Sequence, residues 1–329
     1  KDEYFVCNGP FLQSRPSDSH IFEFQKNKKF WNNGEVKIDK IFLLQTKVAA
    51  AVELFKNGQL DFMGSNICPP GNRNVKELRK SILQYDSLRI YWQCFNVNIF
   101  PFNNVKIRKA FSLAIQRKGI FDVVIGDKKE AFTPLPQQLT LCKDSSHLLH
   151  EDVFAAKEVF AEALEELKIS LDEFPIVYIS VTKNDILSGE VIKNQWQDIL
   201  GIKCMVEVQE WSKHFKKMTT NAFQVGGIHW TSWFNDPIYT LQSFKYSKEK
   251  VNFTGWEDRN FQDLLDLSDK TVDLKLRNSY LRQAEEILLQ QAVVLPVYYT
   301  PGWFIKQPHL KLDLSSTNGN IDLSTAQFE

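Results

Sequence analysis

The sequence of 329 residues lacks the short patterns that usually identify nucleotide-binding proteins and common hydrolases. It contains no GxGxxG or GK[ST] loop for phosphates, no GxSxG turn for a nucleophilic serine and no HExxH pair for zinc. Gly226 and Gly227 follow a predicted strand, but the further residues of a phosphate loop are missing. We therefore expect a protein that is not an enzyme and needs no cofactor, although the members of a catalytic triad can be distant in sequence.

Excess charge, long apolar runs and paired cysteines are also missing. Forty basic residues balance forty acidic ones, whereas a nucleic-acid-binding surface would appear as a basic excess. No apolar run approaches the roughly 20 residues of a membrane-spanning helix. The five cysteines, at positions 7, 68, 94, 142 and 204, form no CxxC pair. This spacing argues against a structural metal or redox motif and leaves one disulfide of unknown pairing open.

Aromatic residues, by contrast, make up 13% of the chain and include eight tryptophans. Residues 230–237 read WTSWFNDP, with three rings in five positions followed by a turn. Tryptophan has a large rigid face and one N–H donor, which suits either a core or a ligand pocket. Composition alone favours the core.

Periodicity predicts an α/β protein with mixed sheets. Segments with strand-like alternation and segments with helical periodicity follow one another along the chain. A predicted helix over 186–200, which stops at Gly201, separates two predicted strands, 175–182 and 202–208. Strand, helix, glycine and strand in this order are typical of parallel pairing. A helix is also predicted within 101–117, with Asn103 or Asn104 at its start.

The order of several segments resembles family 5 of the solute-binding proteins of ABC importers, the oligopeptide- and dipeptide-binding type. The PFNNVKIRKAFSLAIQR segment carries the most specific likeness. The matching segments follow the family's order over nearly the whole chain: Gly9-Pro10-Phe11, NKKFWNN (27–33) with KIDKIFLL, NGQLDF (57–62), PFNNVKIRKAFSLAIQR (101–117), LGIKCMVEVQEW (200–211), WFNDP (233–237) and AEEILLQQAVVLPVYY (284–299).

The resemblance implies a two-lobed periplasmic-binding-protein fold, of type II and similar to cluster C, with mixed sheets. Residues 1–90 with 296–329 would form an incomplete first lobe, and residues 91–295 the second. Such a protein would be extracytoplasmic, in a periplasm or on a lipid anchor. It would capture an oligopeptide between its lobes, deliver it to ABC permease subunits, and be a monomer when complete.

Two features depart from the family pattern. Family members carry a long segment before the Gly-Pro-Phe turn, so we expect this chain to be N-terminally truncated. In peptide-binding members an Asp that pairs with the ligand's α-amino group stands where this chain has Trp233, and the nearest carboxylate is Asp236. A tryptophan at that place favours an apolar or π face over a free N terminus, unless a local gap shifts the alignment and Trp233 belongs to the core.

From the resemblance we expect Trp230, Trp233 and Asp236 to line the cleft between the lobes, while Phe234 packs in the core. The predicted crossing strand adds further candidates. The remaining candidates for ligand contact are Tyr91, Trp92, Phe95, Asn96 and His229.

Three alternatives remain open at this point. The same fold could bind a non-peptide ligand such as a nickel chelate, haem or a modified peptide, with His229 beside a chelate. An α/β enzyme such as a peptidase is a rival from another class, supported only by the fold class. The chain could also be an interaction module that docks a partner protein.

Overall fold

The computed structural model describes residues 7–14, 20–64, 77–78, 80–121, 129–142, 150–312 and 322–329. The chain forms two compact units, Lys1–Ser87 with Gly302–Glu329, and Leu88–Pro301. The predicted lobe boundaries lay a few residues away, at 90/91 and 295/296. Two strands that contain these positions pair with each other along their length, and both belong to the second unit.

The first unit begins with a small antiparallel sheet followed by a helix. Its helix α1 ends at Lys56, with Asn57 as its C-cap, and Gly58 follows with a φ of +70°. The elements of this part, of which the first three form the sheet in order, are β1 (Phe11–Gln13), β2 (Ile21–Lys26), β3 (Lys40–Leu44), α1 (Val48–Lys56), β4 (Phe62–Met63) and β5 (Leu83–Tyr85).

The second unit holds a six-stranded mixed sheet with helices on both faces. The strand order is β7-β11-β6-β10-β8-β9. The elements are β6 (Arg89–Phe95), α2 (Val105–Leu113), α3 (Arg117–Phe121), β7 (Lys129–Glu130), α4 (Val153–Leu167), β8 (Val177–Thr182), α5 (Ile186–Leu200), β9 (Cys204–Gln209), α6 (Trp211–Thr219), β10 (Val225–Thr231), α7 (Pro237–Leu241), α8 (Arg259–Lys270), α9 (Leu274–Gln291) and β11 (Val294–Tyr299).

Local sequence signals place several of these elements. Asn104 is the N-cap of α2, and its side chain accepts hydrogen bonds from the backbone N–H groups of Lys106 (2.7 Å) and Ile107 (3.2 Å). Gly201 ends α5 with a φ of +71°, and β8 and β9 on either side of that helix pair in parallel. The predicted strand–helix–strand unit is therefore confirmed.

The two faces of the sheet bury two separate apolar clusters. Alternation along β6 sends Tyr91 and Phe95 to the cluster shared with α2, α4 and α5. Ile90, Trp92 and Cys94 point the opposite way, to the cluster shared with α8 and α9. Burial of each of these large apolar side chains contributes about 1.5–3 kcal/mol, so both faces of this strand stabilise the unit.

Strand β11 carries a proline inside the sheet. Pro296 lies opposite Trp92, and the register of the pair shifts between Pro296 and Tyr298. Proline has no N–H to give to a ladder, and the irregularity accommodates it.

The chain returns to the first unit after Pro301. There β12 (Gly302–Lys306) pairs with both β4 and β5, and β13 (Leu310–Lys311) pairs with β14 (Gln327–Phe328). Among the helices of the described residues, none combines the length and the apolar character needed to cross a membrane.

Candidate functional site

Four parallel strands of the second unit end at one edge of its sheet. Strands β8, β9 and β10 are mutually parallel, and β11 shares their direction because both β10 and β11 pair antiparallel with β6. In open α/β sheets, ligands bind in the crevice outside the carboxyl ends of the strands. We call the residues that directly follow these strands the carboxyl edge; they are 183–185, 210–211, 232–236 and 300–301.

Two hydrogen bonds from Ser232 hold the turn after β10 in place. The N–H of Ser232 donates to the carbonyl of Leu88 (2.9 Å), and the Ser232 hydroxyl donates to the carbonyl of Phe234 (2.8 Å). Ser232 is fully buried, whereas Trp233 is 58% exposed and Phe234 is 63% exposed. The fixed turn therefore holds two aromatic side chains towards solvent.

A row of ring contacts leads from this turn into the core. Phe234 meets Tyr239 edge-on at 5.3 Å between centroids, Tyr239 lies 5.9 Å from Trp230, and Trp230 stacks on Trp92 at 5.5 Å. The indole N–H of Trp230 donates to the hydroxyl of Thr240 (3.0 Å). Packed rings and a satisfied N–H give the exposed end of the row a rigid base.

Asp236 is already engaged within the protein. Its Oδ1 accepts the backbone N–H of Ile238 (3.0 Å), which caps α7, and also Nη2 of Arg277 (3.0 Å). Its Oδ2 lies 3.0 Å from Nη1 of the same guanidinium. Such a two-pronged pair is strong and directional, so the charge of Asp236 is neutralised from α9.

His229 faces the opposite side of the sheet from Trp230. Its Nε2 lies 3.0 Å from Oδ1 of Asp185, whose Oδ2 accepts the hydroxyl of Thr182 (2.5 Å). The ring also packs 4.7 Å from that of Tyr91. Burial of Tyr91 raises the pKa of its hydroxyl well above the usual range. The charge of Asp185, which is also buried, raises that pKa further.

A second histidine lies beneath the same strand. Nε2 of His214 donates to the carbonyl of Gly227 (2.7 Å), since a carbonyl only accepts, and Nδ1 then accepts from the hydroxyl of Ser180 (3.0 Å). The ring is fully buried, and burial lowers the pKa of His214. His214 therefore serves as a neutral link between α6 and the sheet.

The pair Gly226-Gly227 has a packing role. A Cβ at residue 226 would stand 2.3 Å from the sulfur of Met218, and one at residue 227 would stand 2.2 Å from the hydroxyl of Tyr91. The two glycines make room for side chains on opposite faces of β10. The two glycines lie within β10 and not after a strand, and packing explains their place without a phosphate ligand.

The structure divides the predicted ligand-contact residues between core and edge. Tyr91, Trp92, Phe95 and Asn96 are each at most 1% exposed, and ligand contact by them stays a prediction. Asn96 uses its amide to donate to the backbone carbonyls of Asn221 (2.7 Å) and Phe223 (2.9 Å). These four side chains belong to the core of the second unit.

Ligand contact by Trp230, Trp233, Asp236 and His229 stays a prediction. Sheet alternation places Trp230 and His229 on opposite faces, so the two side chains do not share one surface. The expectation that Phe234 packs in the core is wrong. Ser232 fills the buried position of this turn, and Phe234 is 63% exposed with its ring edge-on to that of Tyr239.

Sequence reasoning missed three residues of this region: Asp185, Tyr239 and Arg277. Tyr239 follows the octet by two positions and could have been included on spacing alone. Arg277 is 41 positions from Asp236, and a pair of that separation leaves no local signal.

The structure adds little support for metal or disulfide chemistry. Within the described ranges, no group of three or more His, Cys, Asp and Glu side chains could hold a metal ion. The four cysteines that lie in these ranges, Cys7, Cys94, Cys142 and Cys204, are free thiols. Cys68 lies outside the described residues.

Two buried charged groups away from the edge hold loops. The guanidinium of Arg117 donates to the carbonyls of Ala131 (2.7 Å) and Pro296 (3.0 Å). The carboxylate of Glu285 accepts from Thr140 and from the backbone N–H groups that follow it, at 2.7–2.9 Å. Both side chains are fully buried. Glu285 holds the loop over 131–142, and Arg117 joins Ala131 of this loop to Pro296 of β11.

Comparison with known proteins agrees with this architecture. The chain is 27% identical over its whole length to the oligopeptide-binding protein OppA of Bacillus subtilis, and 25% identical over 99% of its length to the dipeptide-binding protein DppE of the same organism. It spans 62% and 61% of those two proteins, respectively.

A solved structure, that of Haemophilus influenzae OppA in complex with the peptide RPPGFSPFR, superposes with a TM-score of 0.74 at 20% identity. The superposition covers 98% of this chain and 64% of that one. At this identity the likeness shows the fold, which is that of the periplasmic binding proteins of the OppA type.

Residues 1–252 match the family described as bacterial extracellular solute-binding proteins, family 5 Middle. The match covers most of the chain and includes all of the predicted ligand-contact residues. The chain therefore belongs to family 5 of the bacterial extracellular solute-binding proteins.

Proposed function

We propose that this chain is the substrate-binding component of an ABC importer and that it captures oligopeptides for delivery to a permease. The observation that carries the proposal is the family match over residues 1–252, which includes the carboxyl edge after β8, β9 and β10. The two curated relatives are named for binding oligopeptides and dipeptides. Reversible binding of this kind makes and breaks no covalent bond.

The geometry of the carboxyl edge supports a binding role over a catalytic one. Asp185 is held by His229 and Thr182, and Asp236 is held by Arg277 and a helix N terminus. The hydroxyl of Thr182 that donates to Asp185 is buried with it, and Asp236 is engaged by a guanidinium rather than by a hydroxyl or thiol. The exposed rings of this edge, Trp233 and Phe234 among them, would bind a ligand by contact rather than by proton transfer.

The cellular setting follows from the same proposal. The protein acts outside the cytoplasmic membrane, in a periplasm or held by a lipid anchor, and meets the membrane through its permease. It works as a monomer and carries no metal or organic cofactor.

The first experiment is native mass spectrometry of the purified protein at its full natural length, followed by denaturation and identification of the released molecules. A mixture of short peptides is the expected result. Recovery of a single non-peptide molecule would show that the cargo is not a peptide. Cleavage of added peptides by the pure protein would overturn the proposal in favour of a peptidase.

A further inference from the structure

Helix α6 is attached to the sheet through few buried side chains. Of its nine residues, only His214 and Met218 are buried. The sulfur of Met218 packs over Gly226 of β10, where a Cβ would stand 2.3 Å from it. A helix of this length is marginal in water without tertiary contacts. The attachment of α6 therefore depends largely on these two side chains.

Both nitrogens of the His214 ring take part in this attachment. Nε2–H donates to the carbonyl of Gly227 on β10 (2.7 Å), and Nδ1 accepts from the hydroxyl of Ser180 on β8 (3.0 Å). This arrangement requires the neutral ring, because Nδ1 can accept only while it carries a lone pair. A second proton would remove that acceptor and place a positive charge in a fully buried site, which is costly.

The charged groups near α6 compensate such a charge only weakly. Burial is the largest influence on the ring and lowers the pKa of His214. Asp185, after β8, attracts a charge on the ring, but its Oδ1 lies against His229 at 3.0 Å. Lys217 on α6 repels such a charge and pairs with Glu207 of β9 at 2.8 Å. Strand β10 presents a backbone carbonyl to the ring and no charge.

We propose that His214 is a pH switch, and that helix α6 detaches from the sheet when this ring takes up a proton in mildly acidic solution. Detachment exposes the ring, so that water can solvate its charge. The helix begins at Trp211, directly after β9, and its detachment therefore alters residues 210–211 of the carboxyl edge. An effect on ligand release rests on the proposed function, whereas detachment itself does not.

Linkage between protonation and detachment gives the direction and size of the pH effect. An exposed histidine has a pKa of about 6.5, and burial lowers the pKa of His214 in the attached state. Well above pH 6.5 the ring is neutral in both states, and its contribution to attachment is complete. Below that pH the detached state binds the proton more readily. The equilibrium constant for detachment then rises up to about tenfold per pH unit, until the attached ring is protonated as well.

Hydrogen–deuterium exchange of the full-length protein, measured by mass spectrometry, tests the proposal without any ligand. Exchange of the α6 amides would be compared at pH 7.5 and 5.5 after correction for the intrinsic effect of pH on amide exchange. We expect about tenfold more opening of α6 at pH 5.5. Helix α2 has no histidine among its buried side chains, so it serves as the internal reference and should not change.

Two variants assign the effect to one histidine. His214→Gln has a side chain that stays neutral, so the corrected exchange of α6 should be the same at both pH values, whatever its absolute rate. His20→Gln is the matched control. His20 is exposed and belongs to the first unit, and its substitution should leave the pH dependence of α6 as in the wild type.

Several outcomes would overturn the inference. One is corrected exchange of α6 that does not change with pH in the wild type. Another is a pH dependence that persists in His214→Gln, or that disappears in His229→Gln alone, since another group would then be titrating. An equal rise in α2 would also overturn it, because the acid would then loosen the whole unit. None of these results bears on peptide capture, which the identification of released peptides tests separately.

Discussion

The hydroxyl of Tyr91 lies directly over Gly227 on the neighbouring strand, where a Cβ would stand only 2.2 Å from it. Tyr91 cannot retreat easily, because its ring stacks on Tyr298 at 4.9 Å and packs against His229 at 4.7 Å. One missing side chain on β10 therefore allows a buried tyrosine on β6 to sit against the sheet.

Gly227→Ala should destabilise the protein by about 1–3 kcal/mol, since the added methyl overpacks a full site. Urea unfolding would measure the change in the free energy of unfolding. Gly34→Ala is the control, because no atom lies within 4 Å of a Cβ there. In a Tyr91→Phe background the cost of the alanine should shrink, and an undiminished cost would contradict the assigned clash.

The ion pair between Asp236 and Arg277 can be separated from the helix cap by two substitutions. Asp236→Asn keeps a side-chain acceptor for the cap and should cost less than about 1 kcal/mol, the usual worth of a partly exposed pair. Asp236→Ala removes the cap too and should cost about 1 kcal/mol more. Equal unfolding free energies for the two variants would show that the capping bond contributes nothing.

Glu285 predicts a specific pH dependence of stability. Burial raises the pKa of this carboxyl above its usual value, and hydrogen bonds from Thr140, Leu141 and Cys142 oppose the shift only in part. A group whose pKa is raised by folding stabilises the protein fully below its unfolded pKa, and this contribution is lost as pH rises through the folded pKa. The free-energy difference between wild type and Glu285→Gln should therefore shift in favour of the wild type as pH falls from 7 to about 4.

Urea unfolding of both proteins over that pH range would provide the measurement. Titration of the other carboxylates is common to the two proteins and cancels in the difference. A difference that is constant with pH, or that falls as the solution becomes more acidic, would contradict the raised pKa.

The buried thiols should react slowly in the native protein. Burial raises the pKa of Cys204 to about 12 and shifts those of Cys94 and Cys142 in the same direction, so little reactive thiolate is present near neutral pH. Labelling with iodoacetamide at pH 8, read peptide by peptide in a mass spectrometer, should leave these three unmodified until urea is added. Fast native labelling of Cys94 would contradict its burial.

Local signals predicted the ends of helices well where a position requires one particular type of residue. Asn104 starts α2 and Gly201 ends α5 because a side-chain acceptor and a positive φ are needed at those positions, and both needs are visible in the sequence. The order of strand, helix, glycine and strand likewise predicted the parallel pairing of β8 and β9.

The candidate site was harder to predict because its members are distributed by strand pairing. Alternation along β6 and β10 placed Tyr91 and His229 on one face and Trp92 and Trp230 on the other, although both pairs looked alike as aromatic residues in a strand. Phe234 was assigned to the core from its hydrophobicity, yet the small Ser232 occupies the buried position.

By itself, the sequence determined the family, the α/β class and the places where the main helices begin and end. These properties depend on residues close in sequence and on the order of segments. Only the tertiary structure decided which aromatic side chains are exposed and which charges are neutralised. Asp236 and Arg277 meet because α7 and α9 pack together, and no property of either residue's own segment specifies that contact.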